Sequence, residues 1–161
     1  MAGTSVAAGA AATAALGIER GSRRAAGEWA AVLEQVPLFQ TLSRRQLRRV
    51  VSLARPKRFQ RGVPVVVVGR PGDAFYVILD GHASVGVPGR RPRRIGPGSY
   101  FGEMALLDDA PRSATVTAAG ELLVLEIGRA AFLRLLKQEP QISFALLHAL
   151  ATRVRLLERI S

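Results

Sequence analysis

Apolar residues along this chain keep a helical period at both ends and lose it in the middle. Trp29, Val32, Leu33 and Val36 recur at helical spacing, and Pro37 predicts the end of that helix. Leu38, Phe39 and Leu42 make a short apolar hook. Ser43 followed by Gln46 is a capping-box pattern, with Leu47, Val50, Val51 and Ala54 as the buried stripe of a second helix closed by Pro56. The middle then breaks into strand-sized runs: Arg58-Phe59, Val63–Val68, Phe75–Leu79, Ala83–Val87, Arg93–Ile95, Ala114–Ala118 and Leu122–Ile127. Gly, Pro and Asp separate them, as in Pro71-Gly72-Asp73, Asp80-Gly81, Pro88-Gly89 and Pro97-Gly98. Short strands at regular spacing predict a mainly β fold, a sandwich or jelly-roll barrel. Past Gly128 the helical period returns in Ala131, Phe132, Leu135 and Leu136, and Gln141–Ile160 can form one long helix. The plan is helices, β-barrel, helices, without a helix-turn-helix segment.

Composition sets the limits of this domain. Residues 1–27 are mostly Ala, Gly, Thr and Ser, then Arg20, Arg23 and Arg24. They lack the large side chains that offset ordering entropy, so they read as a disordered tail, with a folded domain over 28–161. The chain's 161 residues suffice for a real core. There is no cysteine, which excludes disulfides and thiolate metal sites. His82 and His148 form no ligand cluster, and with Asp108 and Asp109 they suggest no general-base or nucleophile arrangement, so the chain reads as a non-enzyme. A net charge of +11 favours an anionic partner, although the arginines look scattered rather than gathered on one face. No stretch reaches the roughly 18 to 20 apolar residues of a membrane span, and the alanine-rich start makes a poor signal peptide. A cytoplasmic protein is expected.

The informative segment is Phe101-Gly102-Glu103-Met104-Ala105-Leu106-Leu107-Asp108-Asp109-Ala110-Pro111-Arg112-Ser113-Ala114-Thr115-Val116. It combines a glycine, a short helical turn with free amides at its start, and an arginine beside a hydroxyl leading into a strand. Arg112 offers a planar fork of donors to two phosphate oxygens, and Ser113 adds another donor. Glu103 is the one carboxylate in this positive nest, suited to accept from a sugar hydroxyl or to orient the arginine. Together they describe a pocket for a ribose-phosphate. Taken singly, Arg112 could instead pair with Asp108 or Asp109, and Glu103 could simply be a helix N-terminal acid.

This segment resembles the phosphate-binding cassette of the cyclic-nucleotide-binding domain family, roughly F-G-E-x-A-L then P-R-x-A-T, met at every position. Gly72-Asp73-Ala74-Phe75-Tyr76-Val77-Ile78-Leu79-Asp80-Gly81 is similar to a second family pattern, and Val36-Pro37-Leu38-Phe39 resembles its N-terminal helices. The resemblance covers about residues 30 to 160. It implies a double-stranded β-helix (jelly-roll) barrel with N-terminal helices, a short cassette helix and a C-terminal lid helix. It further implies that Arg112 binds a cyclic phosphate and Glu103 a ribose 2′-hydroxyl. Gly102, Met104 and Ala105 would line the site, with backbone contacts from Gly102 and Ala105, and Ser113 would reach phosphate or base. With Ser rather than Thr at 113, cAMP is expected over cGMP. Gly72, Asp73 and Gly81 look structural, with Asp73 capping its own turn.

An ungapped count from the cassette puts Arg153 and Glu158 near positions that approach the purine in bacterial relatives. Those relatives keep hydroxyl residues where this chain has Leu157-Glu158, which leaves the base contacts open. The final helix carries two stripes: Leu147, Leu150, Val154 and Leu157, and then Leu146, Ala149, Leu156 and Ile160. One can pack on the barrel. The other can cover the ligand, pair with a second copy in a homodimer or meet a protein effector. No specific nucleic acid is expected. The chain ends at Ser161 without an output module, so it reads as a free-standing sensor that starts at Met1. The alternatives are a scaffold that no longer binds ligand, or a piece of a larger regulator such as a transcription factor or channel.

Overall fold

A computed structural model describes residues 23–160. Most of the expected tail, residues 1–22, and Ser161 lie outside the described residues. Helix α1 (Arg23–Leu33) begins five residues before Glu28. Ala and Arg are good helix formers, so the helix that buries Trp29 and Leu33 extends back through them. A single 3-10 turn, Pro37–Phe39, seats Leu38 and Phe39 in the core. Helix α2 (Arg44–Leu53) opens with the predicted capping box. The Ser43 Oγ accepts from the Gln46 N–H at 3.2 Å, and the Gln46 Oε1 accepts from the Ser43 N–H at 2.8 Å.

Eight strands follow: β1 (Ala54–Phe59), β2 (Pro64–Val66), β3 (Ala74–Asp80), β4 (Ala83–Gly86), β5 (Arg93–Ile95), β6 (Tyr100–Phe101), β7 (Thr115–Ala118) and β8 (Leu122–Gly128). Helix α3 (Glu103–Asp108) lies between β6 and β7. Helices α4 (Arg129–Gln138) and α5 (Pro140–Ile160) close the described chain. The strands form two antiparallel four-stranded sheets, in the orders β1-β8-β3-β6 and β2-β7-β4-β5. This is the expected mainly β jelly roll with flanking helices. Pro56 does not close α2. It sits inside β1, opposite Leu125, and β1 is an edge strand, where a missing N–H is tolerated.

Two hydrophobic cores flank the first sheet. On one face Phe75, Val77, Leu123, Leu125 and Ile127 pack against the helices through Leu47, Phe132, Leu135 and Ile142. On the other, Tyr76, Ile78, Leu122 and Val124 meet Val66, Ala83, Val116 and Ala118 of the second sheet. Burial on both faces explains why β3 and β8 are near-continuous apolar runs, while β7, with one wet face, alternates. Gly81 earns its glycine: at φ +83° a Cβ would stand 2.2 Å from the Glu121 carbonyl.

The long helix departs from the two-stripe expectation. It buries Ile142 and Leu146, but Phe144, Leu147, Val154, Leu156 and Leu157 are exposed, and every residue from 151 to 159 is open to solvent. The side chain of Ile160 lies outside the described set. Among the described residues, no helix is long and apolar enough to cross a membrane.

Candidate functional site

Between the second sheet and α3 lies a cavity of about 280 Å³. Its apolar wall follows from strand alternation: Val66, Val85, Ile95 and Val116 point inward from β2, β4, β5 and β7, joined by Tyr100 and Phe101. Its polar end is the segment singled out in the sequence. Gly102, Glu103, Met104, Ala105, Arg112, Ser113 and Arg153 all line this one cavity.

Arg112 is only 5% exposed. A charge that deep is held by acceptors on three sides. Its Nη1 donates to the Gly102 carbonyl at 2.8 Å, and its Nη2 donates to the Ala74 carbonyl at 2.9 Å. The Asp73 carboxylate stands 3.5 Å from Nη2, and the guanidinium lies 6.0 Å from the centre of the Tyr76 ring. Neither Asp108 nor Asp109 pairs with it. Asp109 pairs with Arg129, and Asp108 accepts from the Ala110 N–H at 3.0 Å. Asp73 was expected to cap its own turn; its carboxylate instead faces Arg112. Because a guanidinium carries five N–H donors, these contacts leave capacity for an anion in the cavity.

The backbone around Arg112 is built for close approach. Gly102 has φ +94°, and a Cβ there would stand 2.7 Å from the Arg112 Nη1 and 2.8 Å from the Ala74 carbonyl. A Cβ on Gly72 would meet the Ala105 Cβ at 2.5 Å. Both positions need glycine for space, so Gly72 is structural, as expected.

Glu103, 3% exposed, opens α3 and points its carboxylate into the cavity. Its partner comes from far along the chain: the Arg153 Nη1 on α5 donates to Oε1 at 2.7 Å. Arg153 is thus the side chain by which the otherwise exposed distal part of α5 reaches the cavity. Burial, then the nearby Glu103 charge, hold the Tyr100 hydroxyl above its usual range, with Arg153 opposing. Tyr76 is raised further, first by burial and then by Glu126 and Asp73. Met104 and Ser113 lie at the open side. Arg90 and Arg93 also line the cavity. Sequence reasoning missed them and the apolar wall, although the inward alternation of the strands was a signal for the latter. Among the described residues no His, Cys, Asp or Glu group could hold a metal ion.

Comparison with known proteins agrees with this architecture. Residues 56–139 match the family model of the cyclic nucleotide-binding domain. A cyclic nucleotide-gated potassium channel of Mesorhizobium japonicum is 39% identical over 108 residues, which cover 67% of this chain and 30% of the channel. The catabolite activator protein of Thermus thermophilus superposes with a TM-score of 0.70 at 30% identity, over 76% of this chain and 60% of that one. The regulatory domain of Toxoplasma gondii protein kinase A, solved with cAMP, gives 0.69 at 28% identity, over 80% and 50%. The matched span includes the whole cassette from Gly102 to Ser113 and the barrel that carries it, and on that ground this chain belongs to the cyclic nucleotide-binding domain family.

Proposed function

We propose that the chain is a regulatory module that binds cAMP in this cavity and transforms nothing. The observation that carries the reading is the pair of buried, opposite charges, Arg112 and Glu103, on one cavity wall. Arg112 would take the cyclic phosphate with its remaining donors, pre-oriented by the Gly102 and Ala74 carbonyls. Glu103 would accept from the ribose 2′-hydroxyl. The base would lie along the apolar wall, with Ser113 at the open side. A protein kinase A regulatory domain of the same fold holds cAMP, which supports cAMP over cGMP as the ligand.

The signal would leave through α5. Arg153 ties this helix to the carboxylate that meets the ribose, so ligand and helix position act on one group. Closing α5 over the ligand requires contacts made only in the closed state. The exposed Phe144, Leu147, Val154 and Leu157 offer the surface for a second copy or a protein effector. The chain spans 30% of the channel relative, so the effector belongs to this proposal rather than to the comparison. The cytoplasm is the compartment the reading expects.

Calorimetric titration of the chain with cAMP, cGMP and 2′-deoxy-cAMP tests the reading. Saturable binding is expected, with cAMP tightest and the 2′-deoxy analogue weakened roughly tenfold or more, from the loss of a hydrogen bond to a charged group. No binding of either cyclic nucleotide overturns it, and equal affinity for the deoxy analogue removes the role given to Glu103.

A further inference from the structure

The cavity mouth carries more positive charge than its floor needs. Arg153 is met by Glu103, and Arg112 has two carbonyls and Asp73. Arg90 and Arg93, which also line the cavity, have no carboxylate partner among the described residues. They belong to the run Gly89-Arg90-Arg91-Pro92-Arg93-Arg94 that joins β4 to β5, and all four arginines are exposed. A tight turn opens this connection. The Arg90 N–H donates to the Val87 carbonyl at 3.0 Å across Pro88-Gly89, and Gly89 at φ +78° completes the turn that proline starts. Pairing of Arg93 with Val85 and of Arg94 with Ser84 then divides the cations. Arg93 shares the inward face of Val85, and Arg94 lies on the outer face.

We infer that this hairpin is an electrostatic funnel that sets how fast an anionic nucleotide enters the cavity, rather than how tightly it is held. Cations fixed around a concave, low-dielectric mouth raise the local concentration of an anion and its association rate by about 10- to 1,000-fold. Rim charges act chiefly on association and on its salt dependence, buried pairs on dissociation. Arg112 and the hairpin therefore divide the work: the buried guanidinium holds the phosphate, and the exposed ones gather it. The inference rests on reading the cavity as a nucleotide phosphate site, and it adds residues that the cassette pattern does not contain.

Stopped-flow binding of a fluorescent cAMP analogue measures both rates. At low ionic strength, the Arg90→Gln/Arg93→Gln chain is expected to bind about fivefold or more slowly than wild type, with its dissociation rate within about twofold. The difference should fade near 1 M salt, where the screening length falls to about 3 Å. Arg45→Gln/Arg48→Gln removes the same charge from α2, which contributes no lining residue, and should leave association nearly unchanged. Unchanged association in the hairpin variant overturns the inference. So does faster dissociation alone, because the arginines would then grip bound ligand, and so does an equal slowing in the α2 variant, which would mean net charge rather than the funnel. If the wild-type chain binds no analogue at all, the underlying reading fails, and the inference with it.

Discussion

Arg112 is charged and almost inaccessible, a combination that is costly unless every side of the group is met. Here two backbone carbonyls, which carry no net charge, meet it at hydrogen-bond distance, and the Asp73 carboxylate stands farther off at 3.5 Å. Replacing it with leucine would remove the proposed phosphate contact and leave the Gly102 and Ala74 carbonyls without their donor. Truncating one member of a buried charged pair costs about 2 to 5 kcal/mol, so Arg112→Leu is expected to weaken cAMP binding well over tenfold by calorimetry. Arg112→Lys keeps the charge and serves as the folded control, losing the planar fork alone; unchanged affinity in both variants would take the phosphate away from Arg112. The cassette positions were legible because each residue type has its own chemistry. The partners were not: two of the acceptors on Arg112 are main-chain carbonyls, and every sequence offers those everywhere. Asp73 was visible but misassigned, since an aspartate after glycine reads as a turn residue wherever its side chain finally points.

The tyrosines supply a second check at the same scale. Both Tyr76 and Tyr100 are held above the ordinary value near 10, and they are the only tyrosines in the chain. The raised folded value means that the native state keeps a proton the unfolded chain gives up. Their stabilising effect is therefore full below about pH 10 and is lost as pH rises from the unfolded toward the folded value. Ultraviolet titration at the phenolate band should show little ionisation near pH 10 in the folded chain and a rise together with loss of structure. Two freely titrating phenols near pH 10 would contradict the burial of Tyr76 and the partial burial of Tyr100.

Among the elements, those with a long period or a distinct cap were legible, and those that depend on partners were not. Ser43 and Gln46 announced α2 because a capping box is local chemistry. Tyr100-Phe101 gave no sign of β6, since two residues have no period; the strand exists because it pairs with Tyr76 and Val77. Pro56 looked like a terminator because sequence alone does not reveal that its strand is an edge. The same blindness affects α5. Its apolar residues predicted burial on two sides, yet among its described residues Ile142 and Leu146 are fully buried and Ala145 and Leu150 only partly. If α5 closes over cAMP, amide exchange across residues 145 to 160 should slow on saturation, with Arg153 as the hinge of the effect. Arg153→Ala should then weaken that added protection while leaving the protection of β3 and β8 unaltered. Exchange in α5 that ignores cAMP would make the helix a fixed arm or a permanent seam between copies.

For the whole molecule, the sheet of β1, β8, β3 and β6 matters most, because it is shared by both cores. Its outer face holds the helices, and its inner face backs the barrel that contains the cavity. Charge shows what a linear reading misses at this scale: the arginines look scattered along the sequence, yet the β4–β5 hairpin brings two of them, Arg90 and Arg93, into the cavity lining. Because β3 joins both cores and lends the Ala74 carbonyl to Arg112, a ligand that grips Arg112 should stabilise the chain as one unit rather than the barrel alone. Binding to the folded state only adds about 2.7 kcal/mol at a ligand concentration 100 times Kd. For a domain of about 150 residues, that amounts to a rise in Tm of roughly 5 to 10 °C. Calorimetric unfolding with cAMP should show this rise in a single transition, and Arg112→Leu should lose most of it. Adenosine, which has the base and sugar but no phosphate, should give almost none. If adenosine stabilises as well as cAMP, the cavity reads the base and not the phosphate. If the transition splits, with only one part moved by cAMP, the two cores are not coupled through the shared sheet, and α5 must receive its signal through Glu103 and Arg153 alone.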